Sequence, residues 1–520
     1  MSNVTILWAD DEIDLLRPHI LFLEERGYHV LPVTSGRDAL DTLAETTVEM
    51  VFLDEQMPGL SGIDTLKIIK EQWPQLPVVM ITKSEEEHIM DDALGGKISD
   101  YLIKPVSPSQ LLLTVKKHTE RRRLQSEHST MGYQQQFREI GMQLGDCRTT
   151  GDWEDMYRRL VYWDLELAGV DDDNIHDIFL SQRREANAQF GRFYEALYLD
   201  WIGGREEKPL MSHTVLAQRL MPMLTAGSQP STFLIVIDNF RYDQWKFVQP
   251  AIERFLRVER DELYYTILPT TTQFARNAMF AGLMPSEIER KYPQYWVNED
   301  ETGYKNQYED QLLEENLRRH GLNIKHSYNK VLNAQYGRRL VERVDELMRN
   351  PLNVIIYNFV DMLSHASTDS DVVRQLADSD RAYRSLTLSW LEHSPLIELL
   401  KALSERNTRV IITTDHGSTR VEHPVRVRGD RDVSVNLRYK QGRLLDYTAK
   451  EVFEVKDPSQ LFLPRRHVTS PYIFARAGDF FAYPNNYNEY VKLYTGTFQH
   501  GGISMEETLV PWVTLVPKEQ

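Results

Sequence analysis

Short apolar runs alternate with amphipathic stretches through the first 120 residues of the chain. The apolar runs are 5–9, 48–53, 78–82 and 100–104; amphipathic stretches at 14–26, at 63–72 and after 82 separate them. Short β-branched and aliphatic runs predict strands, and the amphipathic stretches predict helices. Strands that alternate with helices predict a parallel sheet, and the nearly continuous apolar character of the strands predicts helices on both of its faces.

The pattern changes after residue 120. A run of arginines at 121–123 opens a region that has few β-branched clusters. Four apolar residues of this region fall at helical spacing, which puts them on one helix face: Met156, Leu160, Trp163 and Leu167. We expect a helical bundle or long connecting helices over 121–225. The glycine, serine and proline of 225–231 predict a loop at its end.

A second alternation of strands and helices begins at residue 232. Its clearest strand candidates are 232–237, 352–357 and 409–413, and an acidic side chain follows each of them within four residues. Ligands of open α/β sheets bind at the carboxyl ends of the strands, so this position favours a functional site. The sequence therefore predicts an α/β protein with three domains, at 1–120, 121–225 and 226–520.

Composition narrows the class of protein. The apolar runs are far shorter than the ~20 residues of a membrane span, which predicts a cytoplasmic protein without membrane insertion. The single cysteine, Cys147, excludes an internal disulfide framework and a thiolate-based zinc cluster, so any metal must be held by oxygen and imidazole. A formal net charge of −17 disfavours DNA binding, which depends on cationic surfaces.

The strand ends of the first region carry the groups that phosphorylation of a carboxylate needs. Asp10 and Asp11 follow the first strand, Asp54 ends the third, Thr82 ends the fourth and Lys104 ends the fifth. Carboxylates suit a Mg²⁺ ion, which neutralises incoming phosphoryl oxygens. A lysine and a hydroxyl can then hold the phosphorylated product.

In this order the motifs resemble a CheY-type receiver domain, which implies a five-stranded parallel sheet over nearly the whole of 1–120. The resemblance makes Asp54 the phosphoacceptor and adds the carbonyl of Gln56 to the Mg²⁺ ligands Asp10, Asp11 and Asp54. Thr82 would be the switch hydroxyl, Tyr101 the rotating aromatic ring and Lys104 the phosphate-binding cation. Lys83 departs from the family, which usually has a small residue at that position.

Six acids and histidines after the later strands suggest a metal centre: Asp238, Asp361, His365, Asp415, His416 and His500. Asp361 and His365 are four residues apart, so on a helix they project from one face. Three carboxylates and three imidazoles suit two zinc or manganese ions in an open, catalytic site. Two such ions can stabilise the entering and leaving oxygens of a phosphoryl displacement.

A nucleophile for this reaction is available in three consecutive threonines, Thr270, Thr271 and Thr272, which precede a predicted helix at 273–280. The N-terminus of a helix favours anions, and metal coordination would acidify a threonine hydroxyl.

Together, these residues resemble the alkaline-phosphatase superfamily, and the IDNFRYD and TTDHG motifs resemble its PglZ branch most closely. The resemblance covers about 230–520. It implies one zinc ion bound by Asp238, the nucleophilic threonine, Asp415 and His416, and a second bound by Asp361, His365 and His500. The Pro-Thr-x-Thr spacing of related phosphodiesterases assigns the nucleophile to Thr272, with Thr271 as the alternative, and favours a phosphodiester such as an oligonucleotide or a cyclic nucleotide.

The order of receiver, helices and PglZ-like domain resembles the PorX family of response regulators, which is associated with type IX secretion. This resemblance implies a sensor histidine kinase as partner and contacts with a sigma factor or a secretion component. We therefore predict a two-component regulator, dimeric when phosphorylated, that controls a phosphoester hydrolase. The alternative is a phosphorylation-switched interaction protein whose metal site is not catalytic.

Overall fold

The computed structural model describes residues 4–73, 76–82, 99–170, 172–225, 230–298, 301–429, 434–464, 470–485 and 487–518, with the backbone alone at 119–128. Lys83, the helix predicted after residue 82 and most of the predicted loop at 225–231 lie outside this part. The chain divides into two compact units, Met1–Tyr133 and Gln134–Gln520, which are described separately below. The three domain ranges given above stay a prediction.

The first unit contains a five-stranded parallel sheet in the order β2-β1-β3-β4-β5. Its strands are β1 Thr5–Ala9, β2 His29–Val33, β3 Met50–Asp54, β4 Val78–Thr82 and β5 Asp100–Ile103. Its helices are α1 Arg17–Glu24, which follows a 3-10 turn at Ile13–Leu16, α2 Gly36–Glu45 and α3 Gly62–Gln72. Apolar cores lie on both sheet faces, so the predicted receiver-like α/β fold is confirmed.

Long helices form the middle of the chain, as predicted. They are α4 Pro108–Asp146, which contains the division between the two units, α5 Thr150–Leu167 and α6 Asp173–Gly203. A capping box starts α5, because Thr149 accepts from the Asp152 amide and Asp152 accepts from the Thr149 amide. All four apolar residues predicted to share a face of α5 are buried. Every helix of the described residues is too short or too polar to span a lipid bilayer.

A six-stranded mixed sheet forms the core of the second unit, in the order β7-β18-β10-β6-β9-β8. Its strands are β6 Ser231–Ile237, β7 Leu256–Tyr265, β8 His326–Val331, β9 Leu352–Tyr357, β10 Thr408–Thr413 and β18 Leu509–Pro517. Strands β10, β6, β9 and β8 are parallel, and β18 runs antiparallel to β10 and β7. The carboxyl ends of β6, β9 and β10 therefore meet at one edge of the sheet.

Helices and small sheets surround this core. The helices are α7 Ser212–Val215, a π-helical turn Leu216–Leu220, α8 Met221–Thr225, α9 Tyr242–Ile252, α10 Thr272–Ala281, α11 Pro285–Lys291, α12 Glu309–Arg319, α13 Ala334–Glu342, α14 Val344–Leu347, α15 Phe359–Asp369, α16 Asp371–Leu376, α17 Asp380–His393, α18 Pro395–Ser404, α19 Tyr487–Tyr494 and α20 Met505–Thr508. The short strands are β11 Thr419–Arg420, β12 His423–Arg426, β13 Tyr439–Gln441, β14 Phe453–Val455, β15 Tyr472–Phe474, β16 Asp479–Ala482 and β17 Phe498–Gln499.

Candidate functional sites

An acidic cluster lies at the carboxyl edge of the first sheet. Oxygen atoms of Asp10, Asp11 and Asp54 lie within 4.8 Å of one another. The Lys104 ammonium lies 2.8 Å from Asp54 Oδ1 and 2.9 Å from Asp10 Oδ2. Burial raises the pKa of Asp54, and the charges of Asp10 and Asp11 add to that rise while Lys104 opposes it. Crowded carboxylates of this kind suit a hard divalent cation such as Mg²⁺.

The other residues expected at this edge lie on or next to the strands of the sheet. Thr82 is buried, and its hydroxyl donates to the Glu55 carboxylate. Tyr101 is 38% exposed on β5, and Gln56 lies in the exposed turn that follows Asp54. The sequence did not predict that Glu55 would be a partner of Thr82. Glu55 follows Asp54 in the chain, but its position does not reveal the direction of its side chain.

In the second unit, Asp238, Asp415 and His416 form a buried ligand group. Their ligand atoms lie within 4.8 Å of one another, and all three side chains are at most 2% exposed. Asp238 directly follows β6, whereas Asp415 and His416 follow β10 after one residue. Thr272 joins this group, because its hydroxyl lies 3.3 Å from Asp238 Oδ1 and 3.1 Å from His416 Nε2.

A second, outer ligand group consists of Asp361, His365 and His500, whose ligand atoms also lie within 4.8 Å of one another. Asp361 and His365 lie on α15, four residues apart, and the side chain of His365 is 65% exposed. The rings of His416 and His500 stack with centroids 4.3 Å apart, so the buried and outer groups are adjacent. The structure thus brings together all six predicted acids and histidines.

The orientation of two histidines fits a metal-binding role. His416 Nδ1 lies 3.1 Å from the Gly417 carbonyl and His500 Nδ1 lies 3.2 Å from the Thr270 carbonyl. A carbonyl can only accept, so each Nδ1 donates and each Nε2 keeps its lone pair for a ligand bond. Burial lowers the pKa of both imidazoles, which favours the neutral form that binds metals.

The carboxylates also fit a cation. Burial and the charge of Asp238 raise the pKa of Asp415 well above its usual value and that of Asp361 to about 6. Burial opposes the ionisation of Asp238 too, but Arg276 and the imidazoles of His416 and His500 counteract it, and the Asp238 pKa is lowered. Asp415 Oδ2 is buried without a hydrogen-bond partner. Divalent cations would compensate this crowding of acids, so the residues fit two metal ions with oxygen and nitrogen ligands.

The three consecutive threonines differ in their surroundings. Thr272 is the first residue of α10 and contacts the buried ligand group. The Thr270 hydroxyl donates to the Gly502 carbonyl, and the Thr271 hydroxyl is buried without a hydrogen-bond partner. Of the three hydroxyls, that of Thr272 is the one in contact with ligand residues.

A closed ring of polar contacts, which we call the support ring, holds Thr272 and Asp238. Arg276 donates to Asp238 at 2.8 Å and to Glu309 at 2.6 Å. Lys330 lies 2.8 Å from Glu309 and donates to the Asn306 carbonyl at 2.5 Å. Asn306 donates to the Thr272 carbonyl at 2.9 Å, and the Thr272 hydroxyl donates to Asp238, which closes the ring. The ring members are Asp238, Arg276, Glu309, Lys330, Asn306 and Thr272.

Sequence reasoning missed four members of the support ring. Arg276 could have been predicted from the sequence, because it lies four residues after Thr272 and therefore on the same face of a helix. Asn306, Glu309 and Lys330 belong to a loop, to α12 and to β8, and no spacing in the sequence links them to the threonines.

Three family models match the chain in consecutive segments. Residues 6–116 match the response regulator receiver domain, 123–202 the PorX response regulator linker domain, and 215–515 the BREX system PglZ alkaline phosphatase-like domain. The last match takes in more than half of the 520 residues. The predicted order of receiver, linker helices and PglZ-like domain is therefore confirmed.

Among curated proteins, the chain is 26% identical over 241 residues to the phosphoglycerate transport system transcriptional regulatory protein PgtA of Salmonella typhimurium, covering 46% of this chain and 54% of that protein. It is 35% identical over 119 residues to the alginate biosynthesis transcriptional regulatory protein AlgB of Pseudomonas putida, and the match covers 23% of this chain and 27% of that protein. It is 34% identical over 110 residues to the response regulator SaeR of Staphylococcus aureus, covering 21% and 48%. The matches thus span about half or less of the length of each of these relatives.

Solved receiver structures resemble the chain as well. A receiver domain from Clostridium thermocellum is 30% identical with a TM-score of 0.22, and the match covers 23% of this chain and 98% of that one. The chemotaxis protein CheY4 of Vibrio cholerae is 26% identical with a TM-score of 0.21, covering 22% and 99%.

Proposed function

Because this chain belongs to the family of PglZ alkaline phosphatase-like proteins and carries a response regulator receiver and a PorX linker before that domain, we propose that it is a phosphorylation-controlled phosphoester hydrolase with two zinc ions. The receiver implies a cognate histidine kinase, and alkaline phosphatase-like domains are metal-dependent hydrolases. The observation that carries the proposal is the contact of Thr272 with the buried ligand group, beside the outer group.

We assign one zinc ion to Asp238, Asp415, His416 and Thr272 and the other to Asp361, His365 and His500; Mn²⁺ is the alternative metal. When bound, the ions supply the acidity that Thr272 lacks and neutralise charge on the phosphoryl oxygens. Asp238 holds the hydroxyl proton in a hydrogen bond, and the support ring fixes the carbonyl of Thr272. The Thr272 oxygen would form a bond to phosphorus as its proton passes by way of Asp238 to solvent, while the bond from phosphorus to the leaving oxygen breaks and that oxygen takes up a proton. Water would then displace the phosphoryl group from Thr272 and restore its hydroxyl.

Control in this proposal begins at Asp54. The kinase-derived phosphoryl group is transferred to Asp54. Asp10, Asp11, Asp54 and the Gln56 carbonyl would hold a Mg²⁺ ion, which would neutralise charge on the phosphoryl oxygens, and Lys104 would hold the product. Thr82 then leaves Glu55 for the phosphoryl group and Tyr101 follows, which changes the face of the receiver and promotes a homodimer. A receiver with two states, biased by a local charge, is sufficient for such control.

The biological setting that we propose follows the resemblance to PorX-type regulators. The substrate is a phosphodiester, such as an oligonucleotide or a cyclic nucleotide, and the protein acts in the cytoplasm in the regulation of type IX secretion. A sigma factor or a component of the secretion system is the proposed protein partner.

The test compares the variants Thr272→Val and Thr271→Val on a panel of phosphodiester and phosphomonoester substrates. Both replacements remove one hydroxyl from adjacent positions, but only Thr272 contacts ligand residues. We expect Thr272→Val to lose activity by on the order of 10³-fold or more, as removal of a nucleophile does. Thr271→Val should keep activity within about tenfold, and chelation should abolish activity in the wild type.

Two outcomes would overturn the proposal. Activity that survives both chelation and Thr272→Val would exclude a metal-dependent threonine nucleophile. Bound metal without turnover on any substrate of the panel would favour the interaction protein with a non-catalytic metal site.

A further inference from the structure

The turn at 238–243, which we call the metal-ligand turn, contacts both ligand groups of the second unit. Asp238 belongs to the buried group. Asn239, in the left-handed backbone region at φ 62°, donates to Ser364 at 3.1 Å and lies 3.4 Å from Asp361 of the outer group. The Phe240 amide donates to the Thr414 hydroxyl at 3.0 Å, beside Asp415. A shift of this turn would therefore move ligands of both groups.

The far end of the metal-ligand turn enters a buried ion network. Arg241 donates to both oxygens of Asp243, at 2.9 and 2.7 Å, and lies 2.7 Å from Asp380. Arg384 donates to Asp243 at 2.9 Å. The side chains of Arg241, Asp243 and Arg384 are at most 4% exposed. Bidentate pairs between arginine and carboxylate fix orientation as well as distance.

The middle helices α5 and α6 contribute Asp164 and Arg183 to this network. Arg183 on α6 lies 3.0 Å from Asp380, 2.8 Å from Glu506 and 3.5 Å from Asp164 on α5. Asp164 in turn accepts from Arg384 at 2.7 Å. We call this cluster the Arg183 network, and its members are Asp164, Arg183, Arg241, Asp243, Asp380, Arg384 and Glu506.

Glu506 connects the Arg183 network to the buried ligand group by a second route. Gly417 follows His416, and a Cβ atom at Gly417 would lie 2.0 Å from the Glu506 carbonyl. The backbone after His416 therefore lies directly against α20, which carries Glu506. Arg183 thus reaches the ligand residues through Asp380 and Arg241 on one side and through Glu506 on the other.

We propose that Arg183 is a positioning residue that couples the middle helices to the metal-ligand turn, so that a displacement of α5 or α6 changes the metal affinity of both ligand groups. Burial makes the network sensitive, because charges withdrawn from water tolerate the loss of a partner poorly. The inference rests on the proposed function in taking the two ligand groups as metal sites. The contacts from the middle helices to the ligand residues lie within this chain, and the inference does not depend on which substrate is hydrolysed.

The experiment uses full-length protein with Arg183→Met and, as a milder variant, Arg183→Lys, which keeps one charge but cannot bridge three carboxylates. The matched control is Arg184→Met on the same helix. Arg184 is 57% exposed, and its ion-pair partner Glu422 lies outside the network. Zn²⁺ affinity is measured by competition with a chromophoric chelator. Hydrogen exchange of the 238–243 amides is measured in metal-free protein.

We expect both Arg183 variants to bind Zn²⁺ at least tenfold more weakly than the wild type and to exchange the 238–243 amides faster. Arg184→Met should match the wild type in both measurements. A purely structural role would lower the melting temperature of the Arg183 variants without changing Zn²⁺ affinity or exchange in the folded protein, and that result would overturn the inference.

The failure of the proposed function gives a different result. If the wild type binds no Zn²⁺ or Mn²⁺ in the second unit, the metal assignment is wrong, and the exchange measurement alone decides whether Arg183 positions the turn. If Arg183→Met does not fold, Arg183→Lys decides both measurements, and wild-type values for it would overturn the inference.

Discussion

Glu309 stabilises the candidate site without contacting it. It is fully buried and accepts from Arg276, Lys330 and Tyr328. Its charge therefore compensates two cations, one of which holds Asp238. At the scale of single residues, Glu309 acts on Thr272 through the contacts of the support ring, by way of Arg276 on one side and Lys330 on the other.

Glu309→Gln tests this dependence. Glutamine keeps the shape of the glutamate side chain but lacks its negative charge. Its amide NH₂ group also places a donor among the donors Arg276, Lys330 and Tyr328. We expect the free energy of unfolding to fall by about 3 kcal/mol, as when one partner of a buried ion pair is removed. Hydrolysis should fall by about 10- to 100-fold, the usual cost of losing a residue that orients metal ligands.

The control is Glu314→Gln on the same helix. Glu314 is 58% exposed and pairs with the exposed Arg318 one helical turn away, so its replacement should cost less than about 1 kcal/mol and leave hydrolysis unchanged. Urea unfolding and initial rates measure both effects. Equal behaviour of the two variants would show that Glu309 contributes nothing to the site.

Glu154 on α5 predicts a pH dependence of stability. Burial raises its pKa from 4.5 to about 7, and Asp155 and Glu262 add to the rise while Arg158 and Arg219 oppose it. Because the folded state holds the proton more tightly than the unfolded state, the contribution of Glu154 to stability is present below pH 4.5 and is lost as the pH rises through 7.

Glu154→Gln mimics the protonated form and should therefore stabilise the protein progressively more as the pH rises from 4.5 to about 7, above which the gain levels off. Melting temperatures of the variant and the wild type across this range measure the effect. Asp177→Asn, at an exposed position on α6, is the control and should show no such trend. A difference between Glu154→Gln and wild type that does not change with pH would contradict the assignment.

At the scale of elements, the sequence predicts best the strands that are continuous apolar runs. Strands β4 and β9 begin and end at the predicted residues, because both are short apolar runs buried along their whole length. Strand β2 was missed. It lies at the edge of its sheet with only Val30 fully buried, so its sequence lacks the continuous apolar run of a central strand.

The candidate site follows the same rule. Acids and histidines directly after strands or on one helix face could be found from the sequence, since the carboxyl ends of parallel strands meet at one edge. The sequence could not reveal the Arg183 network or Asn306, Glu309 and Lys330 of the support ring, because these residues reach their partners through tertiary contacts between elements far apart in the chain. The antiparallel strand β18 likewise gave no sign of its partners β7 and β10.

For the whole molecule, control of the second unit by the first is the central expectation. Phosphorylation of wild-type protein with a small-molecule phosphoryl donor should change the rate of phosphoester hydrolysis. Asp54→Asn removes the acceptor and should abolish that response while leaving the unstimulated rate in place. Steady-state rates with and without the donor measure this, and a response that persists in Asp54→Asn would show that the donor acts elsewhere.

The most direct test of the account is anomalous diffraction at the zinc absorption edge from crystals of the zinc-loaded protein. We predict two zinc peaks in the second unit. One should lie among Asp238, Asp415, His416 and Thr272 and the other among Asp361, His365 and His500, each about 2.0–2.2 Å from its ligand atoms. A map with no peak at these two groups, or with zinc bound elsewhere, would contradict the proposed chemistry.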